Sequence, residues 1–250
     1  MEHITIGLIC LLFVVALVAG LLDTLAGGGG LITLPVLMLS GVNPLVAIGT
    51  NKLQGAIGTA TASFILIKKR NIHWPTIKPL MLPTFIGASL GSIAVLFINT
   101  SALSFLIPLV LACIAIIFLV SPTPKVSEPQ VSYKTYKSGV LPCIGFYDGM
   151  FGPGTGSFFA LANIKCRGYD LVVSTAMAKP LNFSTNLASL LVFIATDNLL
   201  WSIGLLMMLG QFIGAWLGSH LLFKINPIYL RVLIVLMSSC MLIKYLASMD

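Results

Sequence analysis

Apolar runs separated by short polar breaks fill almost the whole chain. They fall at about 4–22, 31–40, 44–67, 79–98 and 102–120, and again at about 139–151, 156–164, 171–196, 199–223 and 228–247. Between the two sets, residues 121–138 hold Pro122, Pro124, Pro129, Glu128 and three lysines, which reads as a linker. The long runs lack period-two alternation. In lipid, where backbone groups find no water, such runs satisfy themselves only as helices. The second run of each set, and the run at 139–151, are shorter than the roughly 20 residues a continuous span needs. They are expected as broken or re-entrant helices, for a total of about 8–10 membrane segments.

The pattern repeats in detail. Phe-Ile-Gly-Ala-Ser-Leu-Gly-Ser at 85–92 recurs at 212–219 with one change, and the copies lie 127 residues apart. The same offset pairs Gly41 with Gly168, Lys52 with Lys179, Trp74 with Trp201 and Asn99 with Asn226. Asp23 and Asp148 pair at an offset of 125, so the second copy has gained two residues at its glycine segment. An odd number of segments per copy turns the second upside down. The predicted fold is therefore all-α: a polytopic membrane helix bundle of two inverted five-segment repeats. Residues 1–120 form the first repeat, 121–138 a cytoplasmic linker and 139–250 the second.

Charge fixes the expected orientation. With Lys68, Lys69, Arg70 and Lys78 placed in the cytoplasm, Lys125, Lys134, Lys137, Lys165, Arg167 and Lys224 fall on the same side, with Arg231 near it. Lys244, Glu2, Asp197 and Asp250 fall outside, as do both termini. This asymmetry accounts for the net charge of +7 without invoking nucleic acid. Only 8% of the residues are charged and 58% are hydrophobic, against about 25% charged in soluble domains, so lipid is the expected solvent. Met1-Glu2-His3 gives no basic leader, and residues 4–22 are expected to be a retained first span. Five cysteines, at 10, 113, 143, 166 and 240, form no metal-binding spacing and are expected buried and reduced. The three histidines sit at segment ends and make no catalytic set. No cofactor or metal is expected.

Four ionisable residues lie in or beside the apolar runs: Asp23, Lys52, Asp148 and Lys179. A charge at the bilayer centre costs about 2.5–3.5 kcal/mol on insertion scales, so pairing or a wet cavity must relieve it. Two readings stay open here: a central solute site, or Asp–Lys bridges that lock the halves together. A glycine cluster follows each aspartate, with Gly28, Gly29 and Gly30 in the first and Gly154, Thr155, Gly156 and Ser157 in the second. Helices that start at such loops would aim N–H groups at an anion; close helix packing is the competing reading. For Gly87, Gly91, Gly214 and Gly218, packing is the expected role. Asn51, Gln54, Asn182 and Asn186 flank the lysines and are candidates to line the same cavity. Asp23 and Asp148 would orient the lysines or carry protons.

Asp23-Thr-Leu-Ala-Gly-Gly-Gly-Gly with Gly49-Thr-Asn-Lys-Leu-Gln54, and Gly145-Phe-Tyr-Asp-Gly-Met-Phe-Gly-Pro-Gly-Thr-Gly-Ser-Phe158 with Lys179 and Asn182, resemble the two signatures of the TauE/SafE (sulfite exporter) family of membrane permeases, in its YfcA-like branch. The resemblance spans both repeats. It implies transport of small organic or sulfur-containing anions, such as sulfite, sulfonates or thiosulfate, across the bacterial inner membrane. The partners expected are therefore the anionic solute and the lipid bilayer; whether the chain forms a homo-oligomer is open. Two alternatives are an intramembrane aspartyl protease using Asp23 and Asp148, and a passive anion channel. The protease lacks its companion glycine-aspartate motif at Asp23 and gives the lysines no role. Gly152-Pro-Gly-Thr-Gly-Ser lacks the lysine and the preceding strand of a phosphate-binding loop.

Overall fold

The computed structural model describes residues 6–69, 71–120 and 128–224. Ten α-helices occur there: α1 (Ile6–Ala26), α2 (Gly30–Leu39), α3 (Pro44–Lys68), α4 (Trp74–Leu96), α5 (Thr100–Val120), α6 (Tyr133–Thr135), α7 (Leu141–Met150), α8 (Thr155–Arg167), α9 (Leu171–Ala195) and α10 (Trp201–Leu221). No strand occurs among the described residues. The expected segment at 228–247 lies outside them, as do Glu2, His3, Arg70, Lys125, Asn226, Arg231, Cys240, Lys244 and Asp250.

Three boundaries differ from the hydropathy pattern. α1 runs on to Ala26, which puts Asp23 inside a helix instead of after one. α4 starts at Trp74 with Pro75 in its first turn, where a missing N–H does no harm. The end of the linker is helical: Ser132 caps α6, and a π-helical turn at Tyr136–Val140 joins it to α7.

α1, α4 and α10 are long and apolar enough to cross a membrane. α3 and α9 have 25 residues each but are more polar. The short α2, at 10 residues, reaches about 15 Å, half of a roughly 30 Å hydrocarbon core. After α1 the chain doubles back, since Gly29 returns alongside Ala19 and Asp23. α8 likewise returns along α7, with the Phe158 ring edge-on to Tyr147 at 5.3 Å.

The two sets of helices share local chemistry. Gly41 and Gly168 both adopt positive φ (+82° and +73°) where a short helix ends. Asn43 and Asp170 then cap α3 and α9 by accepting backbone N–H bonds. Trp74 and Trp201 each open the next helix, half-exposed.

Packing follows the same exchange. α10 lies along α1 in the same sense, with Gly210, Gly214 and Gly218 meeting Phe13, Leu17 and Leu21 in turn. α7 lies along α4 in the same way, with Pro142 on Gly87 and Phe146 on Gly91. A Cβ at Gly87 would fall 2.2 Å from the Pro142 carbonyl oxygen, and one at Gly214 would fall 2.0 Å from that of Leu17. These glycines thus serve close backbone packing. α3 and α9 cross at the centre in opposite senses, with Gly49 against Phe193 and Gly55 against Asn186.

The outer surface is apolar, showing Leu82, Leu90, Phe97, Phe105 and Leu209. Cys10, Cys113 and Cys143 also lie on it, which corrects the expectation of burial; only Cys166 of the described cysteines is buried. A lipid-facing surface accepts a thiol as readily as a core does, because both are apolar.

Candidate functional site

Each glycine loop ends at the centre of the molecule, and the two touch. Gly27, at φ +81°, lies so close to Gly156 and Ser157 that a Cβ there would sit 2.3 Å from the Ser157 nitrogen. Ser157 donates its hydroxyl to the Ala26 carbonyl at 2.5 Å and its N–H to Gly27 at 3.3 Å. Only glycine permits this approach of two backbones.

Each aspartate braces its own loop. Asp23 Oδ1 accepts the Gly29 N–H at 3.1 Å, and Asp148 Oδ1 accepts the Thr155 hydroxyl at 2.7 Å. Each is also reached by the lysine of the other half. Lys52 Nζ lies 2.8 Å from Asp148 Oδ1 and donates to the Asp148 carbonyl as well. Lys179 Nζ donates to the Asp23 carbonyl and lies 3.9 Å from Asp23 Oδ2. Both lysine side chains are 0% exposed, so neither amine reaches the outer surface. The pairs are unequal: the Asp148 side chain is 2% exposed and that of Asp23 is 15%. Asp148 Oδ2 has no hydrogen-bond partner among the described residues.

A polar hollow of about 20 Å³ opens between the pairs, the size of a water site. Of the residues singled out from the sequence, Asp23, Gly30, Asn51, Lys52, Asp148, Gly154, Asn182 and Asn186 line it. Gly28, Gly29, Gln54, Thr155, Gly156, Ser157 and Lys179 do not. Lys179 stands behind Asp23, while Thr155 and Ser157 are engaged in the loops. Gln54 donates to Asn51 Oδ1, which also accepts from Thr33, and its own Oε1 is buried with no partner among the described residues. Asn186 donates to the Asn182 carbonyl and side-chain oxygens.

Sequence reasoning missed two polar members of the lining, Thr59 of α3 and Gln211 of α10. Gln211 of α10 faces the hollow in a notch cut by Gly20 and Gly58, where a Cβ would sit 2.5 Å and 2.9 Å from its Oε1. The repeat carries the signal that would have found it. At the 127-residue offset, Gln211 corresponds to Thr84, Asn182 to Gly55 and Asn186 to Thr59. The halves thus share their charges but not their amides, and the second half supplies three amides where the first has glycine or threonine.

Helices of membrane-crossing length, an apolar outer surface and a buried charged centre define a multi-pass helical membrane protein. The family model for the sulfite exporter TauE/SafE matches residues 12–245, and the chain belongs to that family. It is 38% identical to a "Probable membrane transporter protein" of Haemophilus influenzae, over 96% of this chain and 95% of that one. It is also 38% identical to the "Probable membrane transporter protein YfcA" of Escherichia coli K12, over 96% and 90%. A "Probable membrane transporter protein ORF9" of Sinorhizobium sp. is 36% identical, over 99% and 95%. No solved structure matches the chain.

Proposed function

We propose that the protein is a secondary transporter that carries small organic or sulfur-containing anions, such as sulfite, sulfonates or thiosulfate, across the bacterial inner membrane by alternating access. One observation carries this reading: two crossed Asp–Lys pairs meet at a polar hollow, lined by Asp23, Lys52 and Asp148, where the glycine loops of both halves come together. The family and its relatives named as membrane transporters support it.

Residues 1–120 and 139–250 are then inverted copies, with the linker cytoplasmic and both termini outside. The opposite senses of the equivalent helices α3 and α9 support that plan. The hollow, at about 20 Å³, admits a water and not an oxyanion, so the present state is closed. Rocking one half against the other opens it.

Charge balance suggests how a proton couples. With Asp148 ionised, Lys52 is neutralised within the protein. When a monovalent anion enters with one proton, or a divalent one with two, of which it keeps one itself, a proton sits on Asp148, and Lys52 turns its charge to the anion. The net charge of the site is the same before and after, so a buried site avoids an uncompensated ion. The partnerless Asp148 Oδ2 is the atom available for that proton. Asn51, Asn182, Asn186 and Gln211 offer donors to the anion's oxygens. Each carboxylate faces a lysine, an arrangement that suits this cycle better than the shared proton of an aspartyl protease.

Uptake of sulfite, thiosulfate and a short alkylsulfonate into proteoliposomes, with and without a pH gradient, tests the proposal. Saturable flux of at least one of them, accumulating against its gradient when protons flow with it, is expected. Flux no greater than in protein-free liposomes would overturn it, and flux that never accumulates would favour a channel.

A further inference from the structure

A second hollow lies on the outside of the molecule, away from the charged centre. It is a groove of about 750 Å³ between the last turns of α3 and α10. These helices run in the same sense, because Gly204 meets Leu53 and Gln211 meets Gly58. Their C-terminal ends therefore lie at the same level. Lys68 and Lys69 end α3 there, and His220 lies in the last turn of α10. All three line the groove, and among the described residues no acidic one does.

Away from that basic end the walls are aromatic and apolar. Phe64 is 67% exposed, and Phe212 and Trp216 are about half-exposed. Lys68 Nζ stands over the Phe64 ring at 5.8 Å, and the His220 ring lies 4.7 Å from that of Trp216. From Phe212 to His220 the groove runs eight residues along α10, about 12 Å at helical rise. It is basic at one end only and apolar over the rest.

We propose that this groove binds an anionic phospholipid, with the headgroup phosphate at Lys68, Lys69 and His220 and an acyl chain against Phe64, Phe212 and Trp216. The grading of the groove selects this occupant. A soluble anion has no use for a 12 Å apolar wall, and a second protein copy gains nothing from two lysines and a histidine clustered at one end. Basic pockets between membrane helices bind anionic headgroups by the same chemistry. The inference is independent of what the central hollow carries.

Native mass spectrometry of the purified full-length protein, exchanged into mixed phosphatidylglycerol and phosphatidylcholine, tests it. The wild type should retain phosphatidylglycerol in preference, and Lys68→Gln/Lys69→Gln should lower that preference on the order of tenfold. The changed side chains are exposed at a helix end, so folding should be unaffected. Lys134→Gln/Lys137→Gln removes two other basic residues and should leave the preference intact. Glycerol phosphate without acyl chains should not displace the lipid. An equal loss in both double variants would overturn the proposal, as would displacement by glycerol phosphate alone. No headgroup preference, with a dimer that Phe212→Ser splits, would give the face to a second copy and overturn it too.

Discussion

Lys52 on α3 ends 2.8 Å from Asp148 on α7, so the cation of the first half is neutralised by the anion of the second. Lys179 makes the reverse crossing to Asp23. Neither half is electrically complete without the other. The crossing makes these residues a tie between the halves, and Asp23, Lys52 and Asp148 among them also bound the central hollow.

The tie should be measurable as coupling. Lys52→Met leaves the buried Asp148 without its cation, a loss of about 3–5 kcal/mol. Lys52→Met with Asp148→Asn leaves no unpaired charge and should recover much of it. Thermal unfolding in detergent of both single variants and the double gives the interaction energy. The Lys179–Asp23 pair, longer at 3.9 Å and partly exposed, should show weaker coupling in the same cycle. Equal coupling in the two pairs would contradict the asymmetry.

Close backbone packing predicts which glycines are irreplaceable. Gly87→Ala and Gly214→Ala each push a methyl group into a facing carbonyl oxygen, at 2.2 Å and 2.0 Å before relaxation. Each should lower stability by about 1–3 kcal/mol, as overpacking does. Gly139→Ala meets nothing within 4 Å and should be neutral or slightly stabilising. A melting temperature for Gly87→Ala equal to that of the wild type would argue against this helix pairing.

How much of this was legible beforehand depends on the range of each interaction. Helix type and the four charges in or beside apolar runs are local features, and they could be read directly. The crossing of Lys52 to Asp148 could not, because residues 96 positions apart become neighbours only through packing. Asp23 ends a hydropathy run without ending a helix, since Lys179 relieves the charge that hydropathy penalises. Seven candidate residues lie off the hollow for reasons of packing: Thr155 and Ser157 bond within the loops, Gln54 turns to Asn51 and Lys179 reaches Asp23 from behind, while three are loop glycines off the lining. Gln211 was hidden by its surroundings: a lone glutamine in an apolar helix carries no motif, and only the glycines facing it reveal the space it fills.

That glutamine should set affinity for the anion. Gln211→Leu keeps the approximate volume and removes the amide from the hollow. It should raise KM for the transported anion about tenfold to a hundredfold, the loss of one hydrogen bond to a charged group, with little change in melting temperature. Thr84→Val at the equivalent place in α4, which does not line the hollow, should leave KM unchanged. Anion flux measured over a concentration series separates the two.

The central claim is that Lys52, paired with Asp148, bounds a solute site. The most direct test is anion flux through the Lys52→Met/Asp148→Asn protein in proteoliposomes, beside the wild type. This variant keeps the fold and contains no unpaired charge, yet it lacks the amine that meets the anion. The account predicts that saturable flux of the transported anion falls at least a hundredfold, about 2.7 kcal/mol of lost stabilisation, while the protein remains folded. Flux unchanged from wild type would contradict it.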